Sequence, residues 1–292
     1  MTGAGAGLAR AIERPDAVTE PTTDPTELLR RRYRQAELPE VGELTDTIAL
    51  QLAHRSVRRF RDDPVETGDL HAIVAAAQSA ATSSNQQSWS VVAVADRDRR
   101  ARLAHLAGDQ WFVAEAPLLL VWLADLGRAA RLAETAGAAF DAADYLESTL
   151  VASIDAALAA QNAVLAAESL AYGTVYVGAI RNHPREVALE LRLPPRVFPV
   201  FGLALGRPDP DEPAGVKPRL PQAAVLHHER YDEVVADHAT ARYEPAITDY
   251  QLEYGQANGW AAGVVARWRS AESLHGRHRL REHLEVLGWP NR

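Results

Sequence analysis

Two short stretches of this chain crowd cations together. His54-Arg55-Ser56-Val57-Arg58-Arg59-Phe60 carries three arginines, a histidine and a hydroxyl within seven residues, and Lys217-Pro218-Arg219-Leu220-Pro221 sets two cations among prolines. A guanidinium binds phosphate oxygens through a planar fork that an ammonium cannot match. The prolines hold the second stretch extended, so Lys217 and Arg219, two residues apart, point the same way. Three further stretches offer polar side chains or open backbone: Thr82-Ser83-Ser84-Asn85-Gln86-Gln87-Ser88-Trp89, the pattern break Gly108-Asp109-Gln110, and the small-residue turn Gly178-Ala179-Ile180-Arg181-Asn182. A phosphate-bearing ring cofactor would use all five. Taken singly, each has a plainer reading as a solvated face, a loop or a piece of core.

The elements that must position them follow from periodicity. Leu150, Ile154, Ala157, Leu158, Gln161, Val164, Leu165 and Glu168 recur at steps of three and four, which predicts a long alanine-rich helix with one apolar face. Gly173 is expected to end it in a left-handed conformation. Thr174-Val175-Tyr176-Val177, β-branched and aromatic, reads as a strand that runs straight into the turn at Gly178. Further strands are expected at Ser90–Ala95, Ala116–Ala124 (apolar throughout, hence buried on both faces) and Phe198–Leu205. Helices are expected after a cap at Thr45 or Asp46, over Pro64–Ala81, Arg97–Leu106 and Pro184–Leu191, and from His238 to the end. Gly127–Tyr145 is weakly patterned, as a lid would be. Residues 1–24 read as a tail rich in Gly, Pro, Thr and acids. Thr26–Gln35 reads as a basic helix whose arginines form a solvated face or a polyanion patch. The organisation expected is an N-terminal extension over 1–41, partly disordered, a main domain over 42–237 and a helical C-terminal arm over 238–292.

Composition limits the chemistry. The 292 residues carry a formal net charge of -8, which argues against nucleic acid or an anionic membrane as partner. No run of about 18 uncharged apolar residues is present, nor the pattern of a secretory signal. Cysteine is absent, so disulfides, thiolate metal sites and a cysteine nucleophile are excluded and a cytoplasmic location is expected. No HExxH, phosphate-binding GxxxxGK or GxSxG pattern occurs. His227-His228-Glu229 is a poor metal site, because adjacent ligands rarely chelate one ion. Redox chemistry would have to reside on a bound cofactor.

In order and spacing, HRSVRRF, TSSNQQSWS, GDQ, QNAVLAAESL with YGTVYVGAIRN, and VKPRLP resemble the oxygen-insensitive nitroreductases. They are most similar to the NADPH-dependent, FMN-containing branch that includes the flavin reductases of luminous bacteria, from about residue 45 onward. The resemblance implies an α+β fold: a mixed sheet flanked by helices, in an intertwined homodimer with a helical C-terminal arm. It implies FMN as cofactor and NADPH or NADH as reductant. Hydride would pass through flavin N5 to nitro compounds, quinones or free flavins in a ping-pong cycle. His54, Arg55 and Ser56 match positions that hold the FMN phosphate and ribityl chain, and Lys217 and Arg219 the second pair of phosphate ligands. Arg58 matches the cation beside the N1/O2 edge, where it would stabilise the anionic reduced flavin. Gln110 matches a bond to the pyrimidine edge. Tyr176, Val177, Gly178 and Ala179 match the strand and turn under the ring. The loop from Ser83 through Ser84, Asn85 and Gln87 to Ser88 matches a segment contributed by the other subunit. A second reading is a flavin-binding protein with little reductase activity.

Two positions depart from the family pattern. Ala179 stands where a second glycine is common. Tyr254 and Gly259 stand where arginines would grip the NADPH 2′-phosphate, so the expected discrimination between NADPH and NADH is below about tenfold, less than one 1.4 kcal/mol interaction gives.

Overall fold

A computed structural model describes residues 24–35, 38–256 and 259–292. The tail expected over the first 24 residues lies, except for residue 24, outside them. Among the described residues four strands form one sheet: β1 (Trp89–Val94), β2 (Leu118–Asp125), β3 (Gly173–Val177) and β4 (Val197–Gly206), in the order β1-β2-β4-β3. Every neighbouring pair is antiparallel. The mixed sheet implied by resemblance is therefore corrected. The parallel pairing present is the single bridge between Ser56 and Thr174, a local contact that does not extend into a strand.

Twelve helices surround the sheet among the described residues: α1 (Pro25–Tyr33), α2 (Asp46–Ala53), α3 (Thr67–Gln78), α4 (Arg97–Leu106), α5 (Trp111–Glu115), α6 (Gly127–Ala136), α7 (Leu146–Ser169), α8 (Pro184–Glu190), α9 (Glu233–Ala241), α10 (Tyr243–Glu253), α11 (Trp260–Trp268) and α12 (Leu280–Val286). Thr45 caps α2 through its hydroxyl oxygen, 3.4 Å from the Ile48 amide. The apolar run of β2 is buried at every position because both faces of the sheet are covered. With side chains alternating, Leu118, Leu120 and Trp122 pack with α3 and α7 on one face, and Leu119, Val121 and Leu123 with α4, α5 and α8 on the other. The β2–β4 register slips between Trp122 and Leu123, and Val200 is left out of the pairing. Such a bulge frees a backbone carbonyl, and here the Val200 oxygen accepts from the guanidinium of Arg181.

Helix α7 spans the sheet with its alanines inward. Ala152, Ala156, Ala159, Ala160, Ala163 and Ala167 are fully buried, whereas Leu150, Ile154 and Leu158 are 49%, 56% and 45% exposed. The N-terminal part of the face expected to be apolar thus points away from the core of its own chain, while Val164 further along it is fully buried. By length and composition α7 could cross a membrane, yet it is the packed core helix of this sheet.

Gly173 does not end α7 as expected. Ala171 takes the left-handed turn, at φ 61°, and Gly173 begins β3. Its glycine character answers another constraint: a Cβ there would sit 2.7 Å from Cβ of Val57, which is 2% exposed. Val57 in turn donates its amide to the Thr174 carbonyl at 2.9 Å, joining the first cationic stretch to β3. Gly173→Ala should cost about 1–3 kcal/mol, as overpacking does, measured by chemical denaturation. In a Val57→Ala background the cost should shrink. An equal cost in both backgrounds would show that Val57 is not what excludes the methyl.

Candidate functional site

The two cationic stretches meet. Between them lies a cleft of about 310 Å³ lined by His54, Arg55, Ser56, Arg58, Arg59, Lys217 and Arg219, with Trp111, Glu212 to Gly215, Tyr250 and Tyr254 completing its walls. The stretches are held chiefly through their backbones. The Glu212 carboxylate, 8% exposed, accepts from the amides of Arg58 at 3.3 Å and Arg59 at 2.5 Å. From the C-terminal arm, the Tyr243 hydroxyl donates to the Pro218 carbonyl at 2.9 Å and the Tyr250 hydroxyl to the Gly215 carbonyl at 3.2 Å. A Cβ at Gly215 would lie 2.1 Å from the Tyr254 hydroxyl, so a side chain there would displace that ring. Arg55 reaches across to the Ala214 carbonyl at 2.6 Å.

His54 is oriented from behind. Its Nδ1 lies 2.6 Å from Oε1 of Glu168 on α7, which also accepts from the Thr174 hydroxyl at 3.1 Å. With Nδ1 engaged by Glu168, Nε2 is the ring nitrogen left for binding in the cleft. The charges in the cleft repel one another. Desolvation, followed by the charges of Arg58 and Arg219, holds the Lys217 ammonium below the usual lysine range. A phosphate among these groups would relieve that repulsion and engage their donors, so the donor set fits the phosphate end of FMN.

Arg32, read from sequence as part of a solvated face or polyanion patch, is 6% exposed and lies against both stretches. Its guanidinium donates to the carbonyls of Leu52, His54 and Lys217 at 2.6, 2.7 and 2.8 Å. Burial first, then the charge of Arg219, lowers its pKa to about 10.

The other expected residues do not line this cleft. Gln110 precedes α5 and donates to the Gly108 carbonyl at 3.4 Å. Val177 is buried in the core, and Tyr176 stacks edge-on against Phe201 at 5.2 Å. Ala179 is half-buried and packs on the core cluster beside β3. Gly178 borders a second cationic group: a Cβ there would lie 3.6 Å from Arg181 and 3.9 Å from Arg277. Burial, then the charge of Arg267, depresses the pKa of Arg181. Burial, then Arg267 and Arg181, depresses that of Arg277. None of the three makes an ion pair among the described residues. Arg267 and Arg277 are instead pinned by the carbonyls of Ser273 and Leu274 at 3.0 and 2.9 Å. Gly259 has φ 63° and opens α11, whose first amides at Trp260 and Ala261 donate to Glu244 at 3.0 and 3.1 Å.

The polar loop is shaped by an acid that sequence reading passed over. Asp155 on α7, 2% exposed, accepts from the Thr82 hydroxyl at 2.5 Å and from the amides of Ser83 and Ser88, each at 3.1 Å. This triple bond holds Ser84, Asn85 and Gln87 at φ 49°, 56° and 52°. A lone acid inside an alanine helix was the available signal. Glu212 gave none, standing in a loop with Asp209 and Asp211.

Residues 52–207 match the Nitroreductase family and residues 217–292 the Nitroreductase family, C-terminal domain. The chain is 36% identical over 242 residues to FMN reductase [NAD(P)H] of Bacillus subtilis, covering 81% of this chain and 94% of that protein. It is also 36% identical over 254 residues to the oxygen-insensitive NADPH nitroreductase of Salmonella typhimurium, covering 85% and 100%. Among solved structures, B. megaterium NfrA2 superposes with a TM-score of 0.80 at 36% identity, covering 85% of this chain and 100% of that one. The NADPH:FMN oxidoreductase from Vibrio harveyi complexed with NAD+ gives 0.75 at 33% identity, with the same coverage. Helix α1 precedes both matched spans.

A charge-assisted bond is worth roughly 1.5–3 kcal/mol, so Arg219→Ala should weaken FMN binding about tenfold or more, read by titrating the apoprotein. Unchanged affinity would separate the cation cluster from the ligand.

Proposed function

The chain belongs to the nitroreductase family, and from that premise we propose that it is an FMN-dependent oxidoreductase that draws on NAD(P)H to reduce nitro compounds, quinones or free flavins. The observation that carries this reading is the convergence of His54, Arg55, Arg58, Lys217 and Arg219 on one cleft. FMN, when bound, supplies the two-electron chemistry between nicotinamide and acceptor. The residues of the chain do the rest. Arg55, Lys217 and Arg219 grip the phosphate, His54 and Ser56 bond the ribityl side, and Arg58 stabilises negative charge at the pyrimidine edge. Gln110 bonds that edge as well, and Tyr176 to Ala179 back the ring.

The functional unit in this reading is a homodimer. The exposed Leu150, Ile154 and Leu158 stripe of α7 meets its copy, and the loop Ser83–Ser88, anchored on the same helix by Asp155, completes the partner subunit's site. A sequence without cysteine suits a reducing, cytoplasmic setting. Relatives named for NADPH direct attention to Arg181, Arg267 and Arg277. Tyr254 and Gly259 had suggested a chain without a grip on the 2′-phosphate. Arg181 and Arg277 beside Gly178, with Arg267 next to them and no carboxylate paired to any of the three among the described residues, offer that grip from another place, which weighs against mere flavin storage.

NADPH should therefore exceed NADH in kcat/KM by about tenfold or more at low ionic strength, one charge-assisted contact being worth at least that. Arg267→Ala should remove most of the difference while leaving NADH turnover nearly intact. Equal use of the two nucleotides by the unmodified protein would refute this assignment. For the dimer, sedimentation at micromolar concentration should give one species of twice the chain mass. Ile154→Glu should shift it to monomer with weakened FMN. A monomer that carries full FMN would end the shared-site reading.

A further inference from the structure

Helix α1 lies ahead of both family-matched spans, yet its Arg32 bonds the backbone of both cationic stretches that line the cleft. It docks through Leu28 and Leu29, 4% and 6% exposed. Its far end is tied to the C-terminal arm, where Arg34 pairs with Glu253 at 2.5 Å and lies 5.1 Å from the Tyr250 ring centre. Between these anchors Arg32 makes its three carbonyl contacts, and its own carbonyl accepts from the Arg219 amide at 3.0 Å. Leu52 and His54 lie at the C-terminal end of α2, where orphan carbonyls and the helix dipole favour a cation. Lys217 belongs to the opposite wall.

A planar guanidinium bonded to both walls at once fixes their separation in a way one ammonium cannot. The placement is costly. A buried cation with no carboxylate partner among the described residues stands beside Lys217 and Arg219, where a core-stapling role alone would be better served by a neutral donor. The cost is intelligible if the gap being held must fit a dianion. We propose that α1 is a clamp on the phosphate end of the cofactor site, with Arg32 as the positioning residue that sets the spacing between the His54–Ser56 and Lys217–Arg219 segments. The proposal rests on the reading that these segments hold the FMN phosphate.

The test compares two flavins on the full-length apoprotein: FMN, and riboflavin, which lacks the phosphate. Arg32→Met keeps the length of the side chain and removes the fork. It should raise the Kd for FMN about tenfold or more, while that for riboflavin moves less than about twofold. Arg32→Lys keeps the charge but cannot span both walls, so it should show the same selective loss in smaller measure. This second variant carries the comparison if Arg32→Met does not fold. Equal loss for both flavins would mean that Arg32 only stiffens the fold, and no loss for either would mean it does not set the gap. Either result overturns the clamp. An unmodified protein that binds riboflavin as tightly as FMN would instead overturn the phosphate-site reading, and the clamp with it.

Discussion

Like charges held close together repel, and much of the structure around the cleft serves to keep five cationic side chains where they would not collect unaided. The holding contacts go to backbone far more than to charged tips. Glu212 takes two amides, Arg32 takes three carbonyls, and Tyr243 and Tyr250 each take one carbonyl of the 215–218 loop. Had Glu212 been paired with a guanidinium directly, that cation's charge and donors would be spent. Bracing the chain through its backbone keeps these charges together at the cleft at some cost in stability, the usual exchange at a binding site.

Residue type and short-range pattern made part of this legible. Both cationic stretches could be picked out because arginine and lysine are conspicuous, and the strands because β-branched and apolar runs are local signals. The continuous run of β2 announced burial on both faces, although not that its neighbours would be antiparallel, which depends on how distant connections return. What stayed hidden was non-local. Gly173 advertises backbone freedom, but nothing near it in sequence reveals that Val57 presses on it. Arg181 stands far in sequence from Arg267 and Arg277, and the turn at Gly276 brings Arg277 beside the other two. Arg32 resembled its solvated neighbours Arg30 and Arg31 because burial is decided by what packs on a helix face, and here that is the far wall of the cleft.

Helix α7 turns its small residues to the core and several of its large ones outward. Its alanines let the helix lie close on the sheet, and its larger residues, Leu150, Ile154 and Leu158, are left outside. A single-chain view of amphipathicity would place the large residues inward. In the proposed homodimer the inversion suits the helix, since small residues permit close approach to the sheet on one side while bulk supplies contact area on the other. Asp155 and Glu168, on this same helix, carry that geometry to the polar loop and to His54.

The salt bridge from Arg34 to Glu253 joins segments from near the two ends of the chain, beside Tyr250 in the wall of the cleft. Its consequence concerns time rather than space. During synthesis α1 emerges among the first helices and must wait for almost the entire polypeptide before α10 exists to receive it. The 215–218 loop likewise lacks its tyrosine braces until that helix has formed. The cleft is thus braced only once α10 has been made, while Leu284 and Trp289 still have to join the core after it.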